Sequence, residues 1–250
     1  SVYGKNKYNL DIAKTRVNEF FVHLVKLIKK EQQDVTINEL ILGLLGDFIT
    51  GRLHEDAVES CLLRPMDAVI YAQDLLVAGM EYLLNETKLH ITVVCKIGNH
   101  SRITHKVHNS NERGNSLEWL MYHSLRSRFT NDRVDWVIED GYHTYLTVYG
   151  HVLRFHHGHN IRFMGGVGGL LIPLKRGIYQ WNVGKPAFCD FLGHHHQFTP
   201  SAHAFVNGSV IGYNAYALAI KAEYEKPKQV LQLLDKDRGL TVTIPILFTT

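Results

Sequence analysis

The sequence predicts an α/β fold of two stacked mixed β-sheets flanked by α-helices, and three observations lead there. Short apolar runs alternate with helical patterns through the first half of the 250 residues. The second half turns to closely spaced strand-like runs separated by turn residues. Several runs also stop at a glycine beside a polar residue, as a buried strand does when it delivers a side chain from its C-terminal end.

Taken in order, residues 11–30 carry Val17, Phe20, Phe21, Leu24, Leu27 and Ile28 at helical spacing and end in a basic last turn, Lys29-Lys30. Residues 39–45 are an apolar run that stops at Gly46-Asp47, which reads as a parallel strand. A helical stretch over 55–84 follows, interrupted near Pro65. A second buried strand over 91–97 ends in Gly98-Asn99-His100. Ser116 before Leu117, Leu120, Met121 and Leu125 marks a capped helix. Residues 134–138, 145–148 and 152–156 read as short strands, the last two joined by a Tyr149-Gly150-His151 turn. Another buried run, 188–192, leads into Gly193-His194-His195-His196. Beyond it, 205–210, 216–224, 230–234 and 240–246 are expected as strands, with Tyr213 to Tyr216 as core and turn. No repeat, low-complexity tract or linker interrupts the chain, so a single domain over 1–250 is expected.

Composition sets the function classes. At 45% hydrophobic and 20% charged residues, the chain has the make-up of an ordinary soluble globular protein. No apolar run is long enough for a bilayer, so no membrane association is expected. The start has no signal or transit pattern and no initiator Met, which suggests a piece that begins inside a longer protein. Cys61, Cys95 and Cys189 are an odd, widely spaced set without metal-ligand spacing, and a reducing cytoplasm suits them. A net charge of +3 is too small to diagnose a nucleic-acid binder. The anomaly is 16 histidines, grouped at His156-His157-Gly158-His159 and His194-His195-His196.

Asp47 alone reads as a turn residue or helix cap, and Asn99 alone as a turn. Together with two histidine blocks at strand ends they make a mixed oxygen and nitrogen donor set. Such a set suits manganese, iron or zinc better than calcium. Gly46-Asp47, Gly98-Asn99-His100, His157-Gly158 and Gly193-His194-His195-His196 resemble, in order, the GD, GNH, H and GHxH blocks of the calcineurin-like metallophosphoesterases. The wider text, Leu45-Gly46-Asp47 with Gly51 to Glu55, Gly98 to Arg102 and Val206-Asn207-Gly208-Ser209, resembles phage-type members, and the superfamily includes Mre11-type nucleases.

The resemblance implies two divalent ions, Mn2+ first with Fe or Zn as alternatives. Asp47 would bridge them; Asn99, His157 and His194 would complete one position, and His196 would belong to the other. His100, over the substrate, would steady charge or protonate the leaving oxygen. A hydroxide between the ions would attack phosphorus in line. Arg102 and Arg162 would clamp phosphate oxygens. His54, in the loop after Asp47, is read either as lining the substrate cleft or as facing solvent. The implied activity is phosphodiester hydrolysis, with DNA as substrate and the host cytoplasm as location if the chain is of phage origin.

Two departures stand out. No Asp-x-His block precedes Asp47, which points to a first strand lost upstream of Ser1 or to a one-metal or inactive relative. Ser101 stands where the family often has an acid orienting the His. A phosphomonoesterase or small-molecule phosphodiesterase, and a degenerate domain serving as a structural subunit, are the alternatives. His156, His159 and His195 are expected to be supporting or structural. The basic stretch of Arg102, His105, Lys106, His108 and Arg113 reads as a solvated loop that could also meet a phosphate backbone. Gly165 to Gly169 lacks the Lys-Ser/Thr of a phosphate loop. The segment 164–170 is a candidate lid or interface, and self-association into a homo-oligomer is left open.

Overall fold

The computed structural model describes residues 4, 6–51, 59, 61–109, 113–163 and 165–249. His54 and Met164 therefore lie outside the described residues, as does most of the first part of the helix expected over 55–84. The chain groups into two compact units, one of Val17–Thr144 and one of Ser1–Arg16 with Tyr145–Thr250.

In the unit Val17–Thr144, helix α1 (Leu10–Glu31) contributes its part from Val17 onward and buries Phe21, Leu24, Val25 and Ile28. Their spacing is one helical stripe, and burying it stabilises the helix more than propensity could. Helix α2 (Pro65–Glu86) starts with proline in its first turn, where no backbone N–H is needed. Gly79 lets α1 and α2 meet, since a Cβ there would stand 2.0 Å from the Phe21 ring. Strands β1 (Glu39–Leu44), β2 (His90–Cys95) and β3 (Val134–Ile138) form a sheet in that order, parallel throughout. Ile91, Val93 and Val94 on β2 are fully buried, as expected of the central strand of a covered parallel sheet. Helix α3 (Leu117–Arg128) packs against β3 and α2. The expected cap is present: the Ser116 side chain accepts from the Glu118 N–H.

The other unit holds a five-stranded sheet of β4 (Thr144–Val148), β5 (His151–His156), β6 (Cys189–Leu192), β7 (Thr199–Ser201) and β8 (Ala204–Val206). The order is β4-β5-β6-β8-β7; β5, β6 and β8 run parallel and β7 antiparallel to β8, so this sheet is mixed. Helix α4 (Leu171–Gly184), unexpected from the sequence, buries Leu174 and Ile178 against Leu192, Ala204 and Val206. Pro173 is tolerated because it falls in the first turn of the helix. Residues 216–224 are not a strand. They open with helix α5 (Ala215–Ala219), because Asn214 caps it by accepting from the Ala217 N–H. Strands β9 (Lys228–Asp235) and β10 (Gly239–Leu247) form an antiparallel pair with a register shift between Leu240 and Val242.

The N-terminal residues are tied into this second unit. Asn6 Nδ2 donates to the carbonyls of Ile211 and Tyr213, at 2.8 and 2.9 Å. Arg16, 1% exposed, donates through Nη1 to the carbonyls of Val210 and Ile211, both at 2.8 Å. The α/β expectation, with helices packed on sheets and one sheet mixed, is borne out. Cys95 and Cys189 are buried free thiols whose pKa burial pushes up. No helix among the described residues is long and apolar enough to cross a membrane.

Candidate metal centre

The C-terminal ends of β1 and β2 carry Asp47, Asn99 and His100. Parallel pairing aligns Leu44 with Cys95, so the turns that follow the two strands start side by side. They touch backbone to backbone. A Cβ on Gly46 would lie 2.3 Å from Gly98 N, and one on Gly98 would lie 2.1 Å from Asp47 Oδ1. Glycine is required at both places by this approach, and at Gly46 also by a φ of +89°. Asp47 itself has φ +58°, a left-handed conformation that an L residue adopts only when its surroundings impose it.

Asp47 is half-buried, and its Oδ1 accepts the His100 N–H at 2.9 Å. His100 Nδ1 lies 2.9 Å from the Thr50 carbonyl. A carbonyl only accepts, so Nδ1 carries the hydrogen and the ring is oriented through it. Arg102 Nη1 donates to the Asn99 carbonyl. Burial lowers the Arg102 pKa while Asp47 raises it. Part of this guanidinium is thus committed to holding the Asn99 backbone rather than reserved for a substrate.

Beneath the loops lies a residue that sequence reasoning missed. Glu118, 0% exposed, accepts the Phe48 N–H at 2.6 Å and the Gly98 N–H at 2.8 Å. Its Oε2 also accepts from Ser101 Oγ at 3.0 Å, and Ser101 and Ser116 share a 2.6 Å hydroxyl contact. The available signal was an acid two residues after a capping serine, which by default reads as a solvated complement to the helix dipole.

In the other unit, His157 follows β5 and Gly193-His194-His195-His196 follows β6, again at aligned parallel ends, His156 opposite Leu192. The Gly193 N–H donates to the His157 carbonyl at 2.9 Å. His157 is 1% exposed, and its ring stands 5.1 Å, centroid to centroid, from that of His194. The His159 ring is 5.6 Å from His157, and Tyr216 lies 4.9 Å from His196. His194 and His196 have φ of +66° and +53°. Asp47, His194 and His196 are thus three of the five described non-glycine residues in this strained region. Such strain concentrates at functional sites.

His156 and His195, expected as supporting residues, are both buried. Burial pushes the His195 pKa down to about 3, helped by the neighbouring His157, His156 and His196. His156 Nε2 lies 3.2 Å from Asp190 Oδ1, and burial holds this imidazole below its usual range despite that contact. Arg154 grips the same carboxylate with two bonds, Nε to Oδ1 at 2.6 Å and Nη2 to Oδ2 at 2.9 Å. Arg154 also donates to Asn182 Oδ1 at 3.0 Å and faces the Trp181 ring at 5.4 Å. Burial opposes the Asp190 charge, but the bonds from His156 and Arg154 hold its pKa below the ordinary value. This buried network anchors β5 to β6 directly below His157 and His194. Arg162 is exposed on the loop after β5.

No family model matches the sequence, and no curated protein matches it. Among solved structures, wild-type Vps29 of Entamoeba histolytica complexed with zinc is similar at a TM-score of 0.39 and 15% identity, covering 82% of this chain and 98% of that one. A single-substitution variant of that Vps29 is similar at 0.39 and 14%, and a double-substitution variant at 0.36 and 11%, over the same shares. The zinc is that protein's own.

Proposed function

We propose that this chain is a metal-dependent phosphoesterase of the calcineurin-like metallophosphoesterase type, hydrolysing phosphodiester bonds, with DNA as its substrate. One observation carries the reading. All four sequence blocks that resemble the family stand in turns at the C-terminal ends of parallel strands: β1 before Gly46-Asp47, β2 before Gly98-Asn99-His100, β5 before His157-Gly158, β6 before Gly193-His194. Ligand sites of α/β folds favour that edge.

The resemblance assigns this donor set to two divalent ions. On that assignment Asp47 would serve both, Asn99, His157 and His194 would complete one position, and His196 would serve the other, with Mn2+ preferred over Fe or Zn. Bound ions would supply charge neutralisation and a more acidic water. The chain's own residues do the rest. The paired strand ends hold imidazole and carboxylate donors rigidly, which lowers the cost of ordering them around an ion. With Nδ1 tied to the Thr50 carbonyl, proton exchange with a substrate oxygen falls to His100 Nε2. Arg102 and Arg162 are the cations assigned to phosphate oxygens.

The test compares manganese-dependent cleavage of plasmid and single-stranded DNA with that of an aryl phosphate monoester. Cleavage of DNA that is abolished by chelation is expected. Hydrolysis of the monoester alone would replace the nuclease reading with a phosphomonoesterase, and no hydrolysis of either would leave a structural subunit.

A further inference from the structure

Glu118 has no role in the chemistry assigned above, yet nothing in its surroundings is casual. A carboxylate that is 0% exposed is costly unless several donors reach it. Here at least three do, and two are backbone amides placed on opposite loops. Phe48, which directly follows Asp47, donates to Oε1, and Gly98, which directly precedes Asn99, donates to Oε2. One planar group therefore takes an amide from the neighbour of each oxygen ligand, and its two oxygens set how far apart those loops stand. The third donor is Ser101, the residue after His100. Glu118 itself stands in the first turn of α3, where the helix dipole also favours negative charge.

We infer that Glu118 is a positioning residue for metal binding: it fixes the spacing of Asp47 and Asn99 by clamping both loops through charge-assisted hydrogen bonds. The inference rests on the assignment of Asp47 and Asn99 as ligands. Glu118→Gln keeps the size of the side chain but turns one acceptor into an NH2 group facing an N–H donor, so one of the two amides loses its partner.

The test is Mn2+ binding measured by calorimetry on the full chain, at a temperature where circular dichroism shows every variant folded. Loss of a group that orients metal ligands costs about 10–100-fold in affinity, and E118Q is expected in that range. Leu125→Ala, in the same helix and fully buried, lowers stability without touching the clamp and should bind Mn2+ like the parent. If E118Q and L125A bind alike, Glu118 is merely structural and the inference fails. Should E118Q not fold, Glu118→Asp retains the charge but withdraws it from both amides, and parent-like affinity in that variant overturns the inference equally. Asp47→Asn is the control for the underlying assignment. Parent-like Mn2+ affinity in D47N would overturn the ligand set and the Glu118 inference with it, whereas loss in D47N and none in E118Q would sink the Glu118 inference alone.

Discussion

Replacing Gly98 by alanine tests whether the two strand-end turns must touch. The added Cβ would stand 2.1 Å from Asp47 Oδ1, 2.2 Å from Asp47 N and 2.7 Å from Asp47 Cγ. Two of these contacts are with the carboxylate group and one with its own backbone, so rotating the side chain cannot relieve them all. The backbone of one turn must move. Overpacking of a tight site costs about 1–3 kcal/mol. The bond from the His100 N–H to Asp47 Oδ1, 2.9 Å long, would be strained or lost, adding about 1.5–3 kcal/mol for a bond to a charged acceptor. A total loss of about 2.5–6 kcal/mol is expected. Gly184→Ala is the control, since a Cβ there meets nothing within 4 Å, and it should stabilise by up to about 1 kcal/mol. Urea unfolding followed by circular dichroism reads both, and Mn2+ titration of folded G98A should show weakened binding. A G98A protein within about 0.5 kcal/mol of the parent, the range of an inert surface change, would refute the backbone contact between these turns.

Three further outcomes follow from the same geometry. Asp190→Asn leaves the buried Arg154 guanidinium without its counter-charge and should cost about 3–5 kcal/mol in urea unfolding; a smaller loss than from a surface control would refute the network. His195 supplies a pH dependence. Its folded pKa is depressed to about 3 by burial, so below about 6.5 the unfolded chain takes a proton that the folded chain refuses. The stability it contributes is whole above that pH and is lost progressively as pH falls toward 3, with His156 acting in the same direction. In chelator-treated protein, His195→Gln should flatten the stability slope across this window, and an unchanged slope would assign the acid sensitivity elsewhere. Finally, Asp47→Asn and His157→Ala should each abolish turnover and keep the far-ultraviolet circular dichroism of the parent; full activity in either would mean the ligands are misassigned.

The sequence by itself located the ends of β1, β2, β5 and β6 and the donors that follow them, because the signals are local. An apolar run, a glycine and then a polar residue state both a strand and where it stops. The Ser116 cap was legible for the same reason, as was the helical stripe from Phe21 to Ile28. What each strand pairs with was not. β3 looked like one of the short strands of the second half, yet it completes the parallel sheet of β1 and β2. Helix α4 was hidden by a glycine-rich approach, and α5 was mistaken for a strand because a five-residue element carries too little periodicity to show.

Glu118 and the Arg154-Asp190-His156 network were also invisible in the linear order. A charged residue in a helix or strand reads as solvated unless its partners are known, and here the partners lie 17 to 70 positions away for Glu118 and 34 to 36 for Asp190. Burial of a charge is affordable only when distant donors converge on it, and that convergence is a property of the folded chain alone. The sequence therefore determined which polar side chains stand at the strand ends, while tertiary structure decided what holds the turns that carry them.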